Sequence, residues 1–314
     1  MWFTKTHNFA PMLKHLLVTL SLFVFVPFSA FGTGLTLSKS LEIDLKDVDY
    51  CKEDSMEICR WLVEAATVPA EESPVIWFGK KFLGRPYVAH TLEKHKRERL
   101  IVNTRELDCT TFTENVMALE LCRRNGKTSF GDFCQYLRNI RYEKDMDIDY
   151  VYRNHYFTGW ANSNIARGYF AEIAKPDNLF SATQNVFVDY MSKHADSYKM
   201  IRETPKYLPG IRAMEKRLSG GRYKYIPKSA FVNTNTPEFR AAIQEGDIVI
   251  ILTDILGLDT QHITLAHWDS NDGQLHIMHA SSLHKKVVFE PLTLYKYLQR
   301  QKKSRGVRVL RLNY

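Results

Sequence analysis

Residues 246–281 read GDIVIILTDILGLDTQHITLAHWDSNDGQLHIMHAS, and the alternation within this stretch decides the fold. The unbroken apolar run 248–252 is the pattern of a strand covered on both faces. Two further strands, 263–268 and 274–280, flank Ser270-Asn271-Asp272-Gly273, a strong hairpin signal. Apolar residues at 287–289 and 307–312 complete a small antiparallel sheet, with a helix between them that ends in the basic run from Arg300 to Arg305. Working back toward the N-terminus, Ile58, Trp61, Leu62 and Ala65 have the spacing of an amphipathic helix over 57–67 that stops before Pro69. A second helix begins just after Asp108, with Phe112, Val116 and Leu119 on its buried stripe and Gly126 beyond its end. The middle, about 127–240, reads as a mostly helical insertion, with Phe130, Phe133, Leu137 and Ile140 at helical spacing and another such stretch over 165–173. No internal repeat occurs, which excludes solenoids. The expected class is α+β.

The 314 residues are 45% hydrophobic and 25% charged, the composition of a chain that buries a core. Its beginning differs. Lys5, Lys14 and His15 precede the apolar stretch 16–26, which Pro27 interrupts before Ser29, Ala30 and Gly32. This is the layout of a secretory signal over 1–32, and about 11 apolar residues fall short of the roughly 20 that cross a bilayer. The expected product is one domain over 33–314, periplasmic or secreted, with no stable membrane insertion. Without Lys5 and Lys14 the net charge of +8 falls to about +6, which suits an anionic envelope polymer. Nucleic acid is excluded as a partner, since no run interleaves Arg with aromatic residues and the chain leaves the cytoplasm. Five cysteines, an odd count, leave at least one thiol free; Cys51 with Cys59 and Cys122 with Cys134 are the local pairs open to oxidation.

Among these cysteines Cys109 stands out. Asp108 is a good N-cap residue, which puts Cys109 at the first helical position, where free backbone amides and the positive helix end favour thiolate. A partner comes from the hairpin, where period-two alternation puts His262, Thr264 and Ala266 on one face. A four-residue loop pairs Asp269 with Gln274, sets His279 opposite Thr264, and leaves it diagonal to His262 at roughly 7 Å. A bulge or an odd loop would instead put the two rings on opposite faces. Read alone, Cys109 is equally a buried thiol under a capped helix, and His262, His267, His276, His279 and His284 are equally residues of a solvated sheet. Zinc could use the same residue types, but no HExxH or CxxC spacing supports a metal site. Asp145, Asp147 and Asp149 imitate the start of a calcium loop, with Tyr150 where the turn glycine belongs and Tyr156 where the bidentate Glu belongs.

Four motifs occur in order: Phe82-Leu83-Gly84-Arg85-Pro86-Tyr87, Leu107-Asp108-Cys109-Thr110-Thr111-Phe112, Gly257-Leu258-Asp259 followed by His262, and His279-Ala280-Ser281. Together they resemble the AmiA-like N-acetylmuramoyl-L-alanine amidase family, within the NlpC-like, papain-fold cysteine peptidases of bacterial walls. The resemblance implies a papain-like core, with a nucleophile-bearing helix packed on the sheet. It makes Cys109 the nucleophile, His262 the base, His279 the group that orients it, and Tyr87 a residue lining the site near the scissile group. His90 and Thr264 depart from it, standing where a small residue and a glycine are usual, so both are expected to narrow the pocket. The implied activity is hydrolysis of a peptidoglycan amide bond in muropeptides, without metal or organic cofactor. The bond is that between N-acetylmuramic acid and L-alanine, or alternatively the one after γ-D-glutamate in the stem peptide. An alternative of another class is an inactive wall-binding module.

Overall fold

The computed structural model describes residues 43–313; the expected signal segment 1–32 lies outside them. The helices are α1 (Lys52–Glu64), α2 (Pro74–Lys80), α3 (Cys109–Arg124), α4 (Phe130–Arg141), α5 (Phe157–Ala166), α6 (Tyr190–Lys193), α7 (Lys199–Glu203), α8 (Leu208–Leu218), α9 (Pro237–Ala242) and α10 (Leu294–Arg300). The strands are β1 (Val48–Asp49), β2 (Leu100–Ile101), β3 (Phe170–Ile173), β4 (Ala182–Asn185), β5 (Arg222–Pro227), β6 (Ile248–Thr253), β7 (Thr260–Trp268), β8 (Leu275–Ser281), β9 (Lys286–Phe289) and β10 (Ser304–Leu312). The chain is a mixed α+β protein. Among the described residues no helix is long and apolar enough to cross a membrane.

Eight strands form the main sheet in the order β4-β5-β10-β6-β7-β8-β9, with β3 also on β10; β1 and β2 make a separate parallel pair. The order explains the continuous apolar run noted in β6. Strands cover both its edges and cores cover both its faces, so all six of its residues are buried. Helix α3 packs on β7 and β8 and is held from outside by α2 and α4. It is therefore buried all round rather than along a stripe: Thr111 to Cys122 are buried without exception. The charges this traps are answered individually. Glu114 accepts from Arg141 at 2.7 Å, and Glu120 is held by Arg123 and Arg124, each at 2.7 Å.

Three expectations need correction. The stretch 165–173 is helical only to Ala166; Gly168, at φ +79°, turns the chain, and Phe170–Ile173 becomes a strand. The middle is mostly helical as read but also carries β3, β4 and β5, and the sheet is not small. Residues of β3 and β5 share one edge of β10, pairing Leu312 with Phe170 and Val307 with Ile226. A fully buried Arg308 fixes this junction by donating to Glu172 (2.6 and 3.1 Å), Thr158 (3.1 Å) and Gln184 (3.2 Å). Finally, all five cysteines carry free thiols. Cys51 caps α1 and donates its thiol to Asp54, while Cys122 and Cys134 fill the core as small hydrophobes.

Candidate active site

Asp108 stops the chain in an extended conformation and starts α3. Its Oδ1 accepts from the Thr111 amide at 2.8 Å, and Thr111 Oγ1 accepts from the Asp108 amide at 2.9 Å. This capping box, with Thr in the usual Glu place, sets Cys109 at the first helical position as the sequence predicts. The packing of α3 on β7 then brings the sulfur to the backbone N–H of Ile263, next to His262.

The hairpin register is the one a four-residue loop requires. Asp269 donates to the Gln274 carbonyl at 3.1 Å, and Leu265 pairs with Met278, which extends to Thr264 opposite His279. His262 and His279 thus share a face, and the diagonal closes: His262 Nε2 and His279 Nδ1 are 2.6 Å apart, with the rings at 74°. His279 Nε2 faces Glu290 Oε2 at 3.4 Å, and His284 Nε2 approaches the same oxygen at 3.2 Å. Burial pushes the Glu290 carboxyl up, but the close approach of His279, the Leu292 amide and the nearby His284 imidazole outweigh it and hold the group below its usual range. Tyr297 meets the His279 ring edge to face, with centroids 5.5 Å apart.

A carboxylate at the end of the chain of rings fixes the tautomers. Glu290 Oε2 lies 3.4 Å from His279 Nε2 without forming a hydrogen bond, but its charge favours the hydrogen on that nitrogen; His279 Nδ1 then accepts from His262 Nε2–H, and His262 Nδ1 is left bare. Burial, then the neighbouring His279, pushes His262 down to about 3, so the ring is neutral at rest. The thiolate expected from the helix end is not the resting state. Burial, and then the Asp108 charge, pushes the Cys109 thiol up to about 12 against the opposing Ile263 amide and Thr110 hydroxyl. Desolvation by the packing of α3 on β7 exceeds the helix-end contribution, although Cys109 is only half-buried and faces a cavity.

A cavity of about 190 Å³ opens over Cys109 and His262, walled by Tyr156, Phe157, Trp160, Tyr198 and Asp259. Asp259 is structural support within it, accepting from the Thr158 amide at 2.6 Å and, through its carbonyl, from Gln184 at 2.7 Å. Tyr87 stands close to Cys109; burial and then the charges of Cys109 and Asp108 push its phenol up to about 12. It does not contribute to the walls of this cavity. Thr264 does not narrow the pocket: it is fully buried in the sheet and donates to the Val249 carbonyl at 3.4 Å. His90 is exposed, at φ 62°, and lines a neighbouring cavity. His267 pairs with Glu245, and His276 with Asp272 and the Glu290 carbonyl, both away from Cys109. Asp149 caps a short helical turn through the Val151 amide.

Sequence reasoning missed Glu290, Tyr297 and the cavity walls. Glu290 had a signal: His279 pairs with Val288, so period two puts Glu290 on the same face, but the turn after Ser281 hides that register in the sequence.

The fold and sequence match known proteins. An N-acetylmuramoyl-L-alanine amidase from Bacteroides uniformis is 34% identical, superposes with a TM-score of 0.70, and is matched over 98% of its chain and 77% of this one. A protein of Bacteroides fragilis described as a xylanase is also 34% identical, with a TM-score of 0.69 over 99% of its chain and 75% of this one. A Legionella pneumophila protein at 22% identity and TM-score 0.63, covering 95% of its chain and 83% of this one, shares the fold. No curated protein matches. Residues 77–307 match the family model described as AmiA-like, N-acetylmuramoyl-L-alanine amidase-like, and the chain belongs to that family.

Proposed function

We propose that the chain is an exported peptidoglycan amidase that cleaves the bond between N-acetylmuramic acid and L-alanine by cysteine chemistry on a papain-like core. The observation that carries this reading is a helix-start cysteine and His262 lining one cavity, with His279 and Glu290 aligned behind His262. Cys109 Sγ attacks the lactyl carbonyl carbon while His262 Nδ1 takes the thiol proton, so the neutral pair becomes charged only as the bond forms. The Cys109 amide, free in the first helical turn, donates to the oxyanion. His262 returns the proton to the leaving amine nitrogen, the C–N bond breaks, and a thioester is left. Water then gives a proton to His262 and hydroxide to the acyl carbon; the acid departs and the thiol is restored. His279, anchored by Glu290, holds the His262 tautomer through both half-reactions and carries part of the imidazolium charge. Tyr87 stands near the sulfur but outside the cavity walls, where it supports the start of the site rather than lining it. The mechanism uses no metal or organic cofactor. The signal-like segment 1–32 and the basic charge of the rest support export to the periplasm or beyond, where anionic muropeptides are the partner.

Mass spectrometry of muropeptides incubated with wild type and Cys109→Ala tests the proposal. Free L-alanyl stem peptides from wild type alone are the expected outcome. Fragments cut after γ-D-glutamate would move the activity to an endopeptidase, and binding without cleavage by wild type would make the chain a wall-binding module. Equal digestion by both proteins would remove Cys109 from the chemistry.

A further inference from the structure

The cavity over Cys109 has two neighbours. One, of about 290 Å³, is lined by Lys144, Ser163, Met214 and Arg217; the other, of about 200 Å³, by His90, Glu93, Asp108 and Arg141. All three cavities have Asn154 and His155 in their walls, so this dipeptide is the junction around which an extended ligand must pass.

His155 is held at that junction in one orientation. Its Nε2 lies 2.7 Å from the Tyr150 carbonyl, and its ring rests on the Tyr150 ring with centroids 4.5 Å apart. Arg153, itself paired with Glu93 and Glu98, covers the same tyrosine at 4.9 Å. A carbonyl can only accept, so Nε2 carries the hydrogen, and in the neutral ring Nδ1 is a bare acceptor. Among the described residues nothing donates to that Nδ1.

We infer that His155 is a specificity-determining residue, whose Nδ1 accepts a hydrogen bond from a secondary-amide N–H of the substrate next to the scissile bond. This rests on the amidase reading of the site. Burial, and then the Arg153 charge, pushes the ring well below the usual imidazole range, so it stays an acceptor wherever the enzyme works. A muramoyl peptide has two such N–H groups within reach of the scissile amide: the acetamido group of the sugar and the second peptide bond. An acceptor fixed before binding discriminates against a ligand that presents oxygen there, because the oxygen leaves Nδ1 unpaired and meets it lone pair to lone pair.

The test compares N-acetylmuramoyl-L-alanyl-γ-D-glutamate with two analogues, one with acetoxy in place of acetamido and one with an ester in place of the second peptide amide. Wild type is expected to lose roughly tenfold in kcat/KM on one analogue, mostly in KM. His155→Leu should lose about as much on the parent compound and show no further penalty on that analogue. His155→Asn keeps an oxygen acceptor near the Nδ1 position and should recover part of both the activity and the discrimination. The inference is overturned if wild type treats both analogues like the parent, or if the penalty persists in His155→Leu. Calorimetry of the same three ligands on Cys109→Ala reads the discrimination as a Kd ratio without turnover. If wild type cleaves none of them, the amidase reading fails, and the Kd ratio still decides the role of His155.

Discussion

At the scale of single residues, the site depends on which nitrogen carries which hydrogen. Cys109 and His262 are both neutral at rest, because burial pushes the thiol up to about 12 and the ring down to about 3. In the proposed mechanism the rate rests on how well His262 bears charge while it holds the proton, and that is where Glu290 would act, one ring away through His279. Glu290→Gln can present its amide N–H to His279 Nε2 and so select the opposite tautomer, which reverses the hydrogen bond to His262 and places a hydrogen on Nδ1. The expected result is a fall in kcat of roughly tenfold or more with KM nearly unchanged. Steady-state kinetics on muropeptides check this, and a loss confined to KM would contradict it. Alternation placed His262 and His279 on one face on condition of a four-residue loop, and the structure supplies that loop. Glu290 was not legible in this way, because its register is set by the turn between β8 and β9.

At the scale of elements, the start of α3 joins stability to reactivity. The Asp108 carboxylate caps the helix and, next to burial, is the largest influence keeping the Cys109 thiol protonated. Asp108→Asn separates the two effects, since Asn caps nearly as well but carries no charge. Its thermal midpoint should stay close to wild type, while alkylation of Cys109 by iodoacetamide, followed by peptide mass spectrometry, should begin at lower pH. Asp108→Ala should instead cost about 1 kcal/mol of stability. An unchanged alkylation profile in Asp108→Asn would mean that burial alone governs the thiol. The helix start was readable because a cap is a local matter of a few residues. The strand at Phe170–Ile173 was not, since its helical spacing gives way to a tertiary edge on β10.

At the scale of the whole molecule, the middle of the chain and the C-terminal strand meet through Arg308. This arginine ties β10 to Glu172 on β3, Gln184 on β4 and Thr158 at the start of α5, and Thr158 in turn donates its amide to Asp259 in the cavity wall. Arg308→Met leaves Glu172 without its cation and should cost about 3–5 kcal/mol, lowering Tm on the order of 10 °C. Calorimetry of the folded enzyme measures this, and a shift of only a degree or two would mean the network is dispensable. The sequence by itself determined the features that depend on near neighbours: the capped start of α3, the position of the hairpin turn, the buried strand 248–252 and the motif order that identifies the family. Tertiary structure alone decided the rest: that β3 and β5 complete the sheet, that the five cysteines sit without disulfide partners, that burial outweighs the helix end at Cys109, and that three cavities converge on His155. Each of these follows from contacts or desolvation between residues far apart in the chain, and local spacing carries no record of which distant surface will exclude the water.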